Sequence, residues 1–155
     1  MHLLREDFDL LEARLKTIDQ ALFDLGEEFH EAVNQSSETW HDNAPFDAVR
    51  DKQSILAMER ARLIEIRIGA RVIDSPHRHT RIAMGHRVVL RGPSTLRIFV
   101  GGDWSGREQV GEYRVATAGS PIGQALLGRR VGDTIQLPKG SFVVHEIKGD
   151  FTPSD

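Results

Sequence analysis

Seven apolar residues, Leu4, Leu11, Leu15, Ile18, Leu22, Leu25 and Phe29, follow one another at spacings of 7, 4, 3, 4, 3 and 4. A helix returns to the same face every 3.6 residues, so steps of three and four draw one apolar seam along one side. Held for almost four heptads, such a seam calls for a partner helix. Acids and bases fill the other faces. Gly26 is the weak point, costing about 1 kcal/mol relative to Ala in a helix interior. The spacing predicts a helix over residues 3–35. A looser seam of Phe46, Val49, Gln53, Leu56, Leu63 and Ile66, widened by Ile55, Met58 and Ile64, predicts a second over 44–72. Pro45 is tolerated only in a first turn, so the second helix begins within a residue or two of it. Two long helices joined by a short loop run antiparallel. About 30 residues at ~1.5 Å each give a hairpin some 45–50 Å long, with its tip at about residues 36–46. No further helix long enough to complete a bundle follows, so a coiled-coil hairpin is the reading.

Residues 73–85, IDSPHRHTRIAMG, read as a linker, without periodicity and punctuated by Pro76 and Gly85. Beyond it, period-two patterns and short apolar runs predict strands at 86–91, 95–100, 110–117, 133–137 and 141–147. One short helix interrupts them at SPIGQALLG: Ser120 is a good N-cap, Pro121 fits the first helical position, and Gly128 fits the position just past the end. The fold class is therefore α+β, with a hairpin domain over 1–75 and a small, mostly antiparallel β domain with one short helix over 76–155.

The 155 residues suit one large domain or two small ones, with ordinary apolar (39%) and charged (28%) content. No cysteine is present, which excludes a disulfide framework, a thiolate metal site and a cysteine nucleophile. The acids of MHLLREDFDLLEARL break the apolar core a signal peptide needs. No apolar run approaches the roughly 20 residues that span a bilayer. A cytoplasmic protein without a membrane role is expected. The net charge of −3 is uneven: residues 1–75 hold 16 acids and 9 bases, residues 76–155 hold 7 and 11. An acidic first half is poorly suited to general duplex binding, which needs phosphate neutralisation.

Two stretches carry a family resemblance. SPIGQALLGRRVGDTI, at 120–135, is similar to a segment of the bacterial Gre transcript-cleavage factors with Ser-Pro, then Ala-Leu-Leu-Gly, then Val-Gly-Asp. DNAPFDAVRDKQ, at 42–53, is similar to the stretch at the coiled-coil tip of that family, matching at Asn43, Ala44, Ala48, Arg50 and Gln53, with Asp42 for Glu and Phe46 for Tyr. The chain thus resembles the Gre family along nearly its whole length. The resemblance implies an N-terminal antiparallel coiled coil and a C-terminal FKBP-like domain. It implies a transcription elongation factor, acting as a monomer, whose coiled coil enters the secondary channel of RNA polymerase. The globular domain would dock at the outer rim, on the beta-prime subunit, through Ser120, Pro121, Gly128, Arg129 and Arg130. Tip carboxylates would help hold a second Mg²⁺ beside the backtracked nascent RNA 3′ end. The polymerase, not this protein, would then be the enzyme that cleaves the transcript.

The chemistry suits that role. A two-metal site needs Mg²⁺ with hard oxygen ligands near the scissile phosphate. Asp42 stands where the family has Glu, and Glu38 is the second acid. Cleavage-competent members carry Asp three residues before that Glu, where this chain has Thr39. A channel-binding inhibitor or antagonist that does not stimulate cleavage is therefore the alternative. Trp40, His41, Asn43, Arg50 and Lys52 are the candidates for touching RNA or polymerase. Each has a structural reading as well. Asp42 is a good N-cap for the second helix, Asp47 suits its first-turn dipole, and Glu38 suits a solvated loop. Trp40 is suited to a contact surface or to packing on Phe46. Arg50 is placed to meet a phosphate or to pair with Asp47, Asp51 or Glu59.

Other classes are weaker. His77, His79 and His86 include an H-x-H, but without cysteine or a carboxylate pair this is a poor metal motif. The loop at 101–108, GGDWSGRE, is a second docking surface or a turn that tucks Trp104 back. Prolyl isomerase activity needs an aromatic-lined pocket, and the C-terminal half offers only Phe99, Trp104, Tyr113, Phe142 and Phe151. Relatives proposed to regulate nucleoside diphosphate kinase have shorter coiled coils, so a coil much below about 40 Å would favour that reading.

Overall fold

The computed structural model describes residues 1–36 and 44–149, without the side chains of 32–36 and 44–46. The chain divides into two compact units, Asp9–Gly69 and the residues Met1–Phe8 together with the chain from Ala70 onward. The first strand and its partner therefore belong with the β unit, whereas the sequence reading placed them in a hairpin domain ending at 75.

The hairpin unit is built from α1 (Arg5–Ser36) and α2 (Ala44–Gly69). At ~1.5 Å per residue their 32 and 26 residues span about 48 and 39 Å. The seam lies where its spacing puts it. Leu11, Leu15, Ile18 and Leu25 of α1 are buried, as are Val49, Leu63 and Ile66 of α2. Leu22, Phe29 and Leu56 are half-buried. Three ion pairs link the first half of α1 to the second half of α2, as antiparallel helices require: Arg14–Glu59 (2.8 Å), Asp19–Arg60 (2.7 Å) and Glu12–Arg67 (3.6 Å). Ile55 and Met58 do not widen the seam. They are 67% and 74% exposed, because they lie round the helix beyond the stripe that faces α1. Pro45 is the second residue of α2, where its missing N–H has no intrahelical partner to lose.

Both helices are shorter at the other end than their periodicity suggests. Residues His2–Leu4 form strand β1, and α2 stops at Gly69 so that Arg71–Ile73 form β2. The two strands pair in parallel, with His2 opposite Arg71 and Leu4 opposite Ile73. Gly69 disfavours continued helix, and the β-branched Val72 and Ile73 favour a strand. Leu3 and Leu4 are fully buried there, so Leu4 continues the apolar pattern from a strand instead of a helix.

The β unit contains β3 (Arg87–Arg91), β4 (Thr95–Val100), β5 (Gln109–Val110), β6 (Tyr113–Ala116), α3 (Pro121–Leu126), β7 (Thr134–Leu137) and β8 (Gly140–Lys148). The sheet order is β5-β6-β4-β3-β8-β7. Its pairings are antiparallel apart from β4 with β6, which is parallel. The single strand expected at 110–117 is two, split by a turn at Gly111, whose φ of 59° favours glycine. Alternation along the strands sends Val88, Leu90, Ile98, Val100, Ile135, Phe142 and Val144 into one core, which Leu126 of α3 joins. The segment expected as a linker has no regular structure beyond Ile73, which ends β2, but it is not a passive tether. Ile82 is buried in the same core, donates its N–H to the Arg129 carbonyl (2.8 Å) and accepts from the Gly128 N–H (2.8 Å). The architecture is thus α+β, a helical hairpin with a small β domain.

Candidate functional site

The tip candidates Glu38, Trp40, His41, Asp42 and Asn43 lie outside the described residues. Arg50 and Lys52 are described, and both are exposed on the first half of α2. Asp47 is exposed in the first turn of that helix. Glu59, a possible partner for Arg50, is instead bound by Arg14 through two hydrogen bonds of 2.8 Å. That Arg14 hydrogen bond, reinforced by its charge, holds the Glu59 carboxyl below the usual range against a smaller opposing effect of burial. Among the described residues no group of three or more His, Asp or Glu is placed to hold a metal ion.

The docking candidates come together at the two ends of α3. Ser120 caps it: its Oγ accepts from the Gly123 N–H (3.1 Å) and donates to the Thr117 carbonyl (2.7 Å). Both capacities of the hydroxyl serve the helix, and the exposed Pro121 at the first helical position is left facing outward. Gly128, with φ 82°, takes the left-handed turn that ends the segment. Arg129 and Arg130 follow it, both exposed. Asp133 fixes that turn by accepting from the Arg130 N–H (2.8 Å). Beside Pro121 a cleft of about 520 Å³ opens between α3, β6 and β7, with Ile98, Val115, Ile122 and Leu137 among its lining residues. Among the described residues no aromatic side chain lines it, and Phe99 and Phe142 are buried elsewhere in the unit; Phe151 lies outside the described residues.

Two buried polar residues shape the rest of the unit. Asp7 has no exposed surface. It accepts from Arg107 Nε (3.0 Å) and Nη2 (3.1 Å), Ser105 Oγ (2.8 Å) and the Gly106 N–H (3.2 Å). The guanidinium of Arg107 also lies 5.2 Å from the centre of the Phe99 ring. Loop 101–108 is therefore anchored to the start of α1, with Trp104 half-buried. His86 is likewise fully buried and meets His79 at 3.0 Å. Burial lowers its pKa, the Arg78 carbonyl opposes this, and positive charge on His79 adds to the lowering. The sequence reading missed both roles. Asp7 looks like an ordinary first-turn acid, and nothing local points to Arg107, 100 residues away. His86, which the sequence groups with His77 and His79 in a poor metal motif, has the Ala83 N–H, the Arg78 carbonyl and His79 as its ring partners.

No protein-family model matches the chain. A "Transcription elongation factor GreA" of Christiangramia forsetii is 30% identical over 118 residues, which cover 64% of this chain and 65% of that protein. In that match the chain spans slightly less than two thirds of its relative's length. A "Transcription elongation factor GreA" of Thermotoga sp. is 23% identical over 156 residues, covering 92% of this chain and 91% of that protein. Among solved structures, the GreA factor homolog 1 protein of Thermus thermophilus is 24% identical, with a TM-score of 0.45 over 96% of this chain and 99% of that one.

Proposed function

Because the sequence relatives of this chain are Gre-family transcription elongation factors, we infer that it acts on bacterial RNA polymerase as a secondary-channel factor. The observation that carries this reading is a pair of long, seamed antiparallel helices, the second of which opens within the stretch DNAPFDAVRDKQ. The hairpin enters the channel. The globular unit docks on the beta-prime rim through Ser120–Pro121 and Gly128–Arg130. Asp42, helped by Glu38, supplies carboxylate oxygens to a second Mg²⁺ at the polymerase active centre. Two hard oxygen donors fit that cation, whereas a neutral imidazole such as His41 fits it poorly. The bound ion supplies an activated water and neutralises charge on the scissile phosphate. The chain's own part is to deliver the carboxylates on a stiff support and to present Arg50 and Lys52 to the displaced RNA. At about 39 Å, α2 is not much below the length of about 40 Å under which the alternative kinase-regulator reading would be favoured.

Thr39, where cleavage-competent members carry Asp, favours a second reading: a channel-occupying inhibitor whose tip does not complete the metal site. The deciding experiment is RNA cleavage in stalled, backtracked elongation complexes with Mg²⁺, comparing the wild type with Asp42→Ala and Glu38→Ala. The expected result is shortened transcripts with the wild type, lost with Asp42→Ala by about a hundredfold and reduced with Glu38→Ala. No cleavage, with elongation blocked, would establish the inhibitor.

A further inference from the structure

His86 makes five short polar contacts that leave its ring a single neutral form. Nδ1 accepts the Ala83 N–H at 2.9 Å. The proton therefore sits on Nε2, which lies 2.9 Å from the Arg78 carbonyl and 3.0 Å from His79 Nδ1. The backbone adds two contacts: the His86 N–H donates to the Ala83 carbonyl (3.2 Å), and the His86 carbonyl accepts from Val100 (2.9 Å). Ring and backbone together hold Ala83, and its neighbour Ile82 is the residue that clasps Gly128 and Arg129. One buried imidazole is thus connected, through its hydrogen bond to Ala83 and the two that the adjoining Ile82 makes, to the exposed edge proposed above as a docking surface.

We propose that His86 is a positioning residue for that edge: its neutral ring folds the strap of residues 78–83 so that Ile82 fixes Gly128–Arg130 in their docking conformation. This rests on the reading of Gly128–Arg130 as a polymerase contact. A proton added at Nδ1 would set an N–H against the Ala83 N–H, so acid undoes the clasp. The charged and titratable groups on the segments that carry these contacts are mostly basic. They are His79 across the hydrogen bond, Arg78 and Arg81 on the strap, Arg87 at the start of β3, and Lys148 opposite Arg87 on β8, itself paired with Glu146 at 3.4 Å. The sign follows from the lowered pKa. Between the ordinary histidine value of about 6.5 and the lower folded value, the unfolded chain binds the proton more readily than the folded one. The stabilisation is present above about pH 6.5 and is lost as the pH falls through that interval.

The test uses the full chain. Amide exchange protection is measured at Ile82, Ala83 and Gly128, with Leu90 of the central strand β3 as a sheet control, alongside affinity for bacterial RNA polymerase. In the wild type, the three amides should lose protection together, by about tenfold, between about pH 7.5 and 5.5, while Leu90 does not. Polymerase affinity should fall with them. His86→Asn keeps an acceptor near the Nδ1 position and does not titrate, so it should bind at neutral pH and show a flat profile. His86→Leu should lose protection and affinity at every pH. Protection at Ile82 and Gly128 that does not respond to acid in the wild type overturns the inference, even if His86→Leu fails to fold. Protection lost without loss of affinity overturns the link to docking. A wild type that does not bind polymerase at neutral pH refutes the functional reading instead, and the amide profile still decides whether His86 sets the edge.

Discussion

Asp7 concentrates more polar contacts than any other side chain described in the β unit, and it does so with no access to water. A carboxylate so placed is tolerable only because Arg107 neutralises it and Ser105 and Gly106 fill its remaining lone pairs. Removing it leaves a guanidinium that is 21% exposed and able to recover only part of its hydration. Asp7→Ala should therefore destabilise the protein by about 3 kcal/mol, near the lower end for a broken buried pair. Urea unfolding measures this, and the double variant Asp7→Leu/Arg107→Met should recover most of the loss because no orphaned charge remains. An unchanged midpoint in Asp7→Ala would remove the anchor from the account. At this scale the sequence is least legible. Ser120, Pro121 and Gly128 announce their jobs through local backbone chemistry, and the structure places them as cap, first helical residue and left-handed turn. Asp7 and His86 act through partners that only the folded chain brings near.

Among elements, α1 was readable almost to the residue because its seam repeats often enough to outvote any single exception. Its first turn was not, because a strand of three residues has too few positions to show a period. Leu3 and Leu4 satisfy both readings, and what decides between them is β2, nearly 70 residues later. The α2 seam is weaker, and composition alone put Ile55 and Met58 on it. The structure separates apolar residues that pack from those that do not, and this gives a direct contrast. Ile18→Ala, in a fully buried seam position, should cost about 2–5 kcal/mol. Met58→Ala, 74% exposed, should change stability by less than about 0.5 kcal/mol. Thermal or urea unfolding of the two variants compares them. A comparable loss from Met58→Ala would mean that α2 presents a different face to α1. In the β unit the turn glycines and alternation located the strands, but the parallel pairing of β4 with β6 is a fact of topology that no local pattern encodes.

For the whole molecule, charge and ligand count together say where the chemistry can occur. Asp9–Gly69 holds 13 acids and 7 bases, and the remaining residues hold 10 acids and 13 bases. An acidic hairpin unit is repelled by nucleic acid phosphates and gains no counterion release from them. Mg²⁺ prefers about six oxygens in near-ideal octahedral geometry and gives up its waters reluctantly. The proposed ligands Asp42 and Glu38 would supply only part of that shell. The protein alone should therefore neither bind free RNA at physiological salt nor cleave it, and Mg²⁺ titrated into it should give no saturating heat. The same RNA, held backtracked in a polymerase whose own acids complete the metal shell, should be cut when the factor is added. Fluorescence anisotropy with labelled single-stranded RNA, calorimetry with Mg²⁺ and the cleavage assay with and without polymerase measure the three parts. Cleavage of free RNA by the purified chain, abolished by Asp42→Ala, would move the active site from the polymerase to this protein and sink the delivery mechanism.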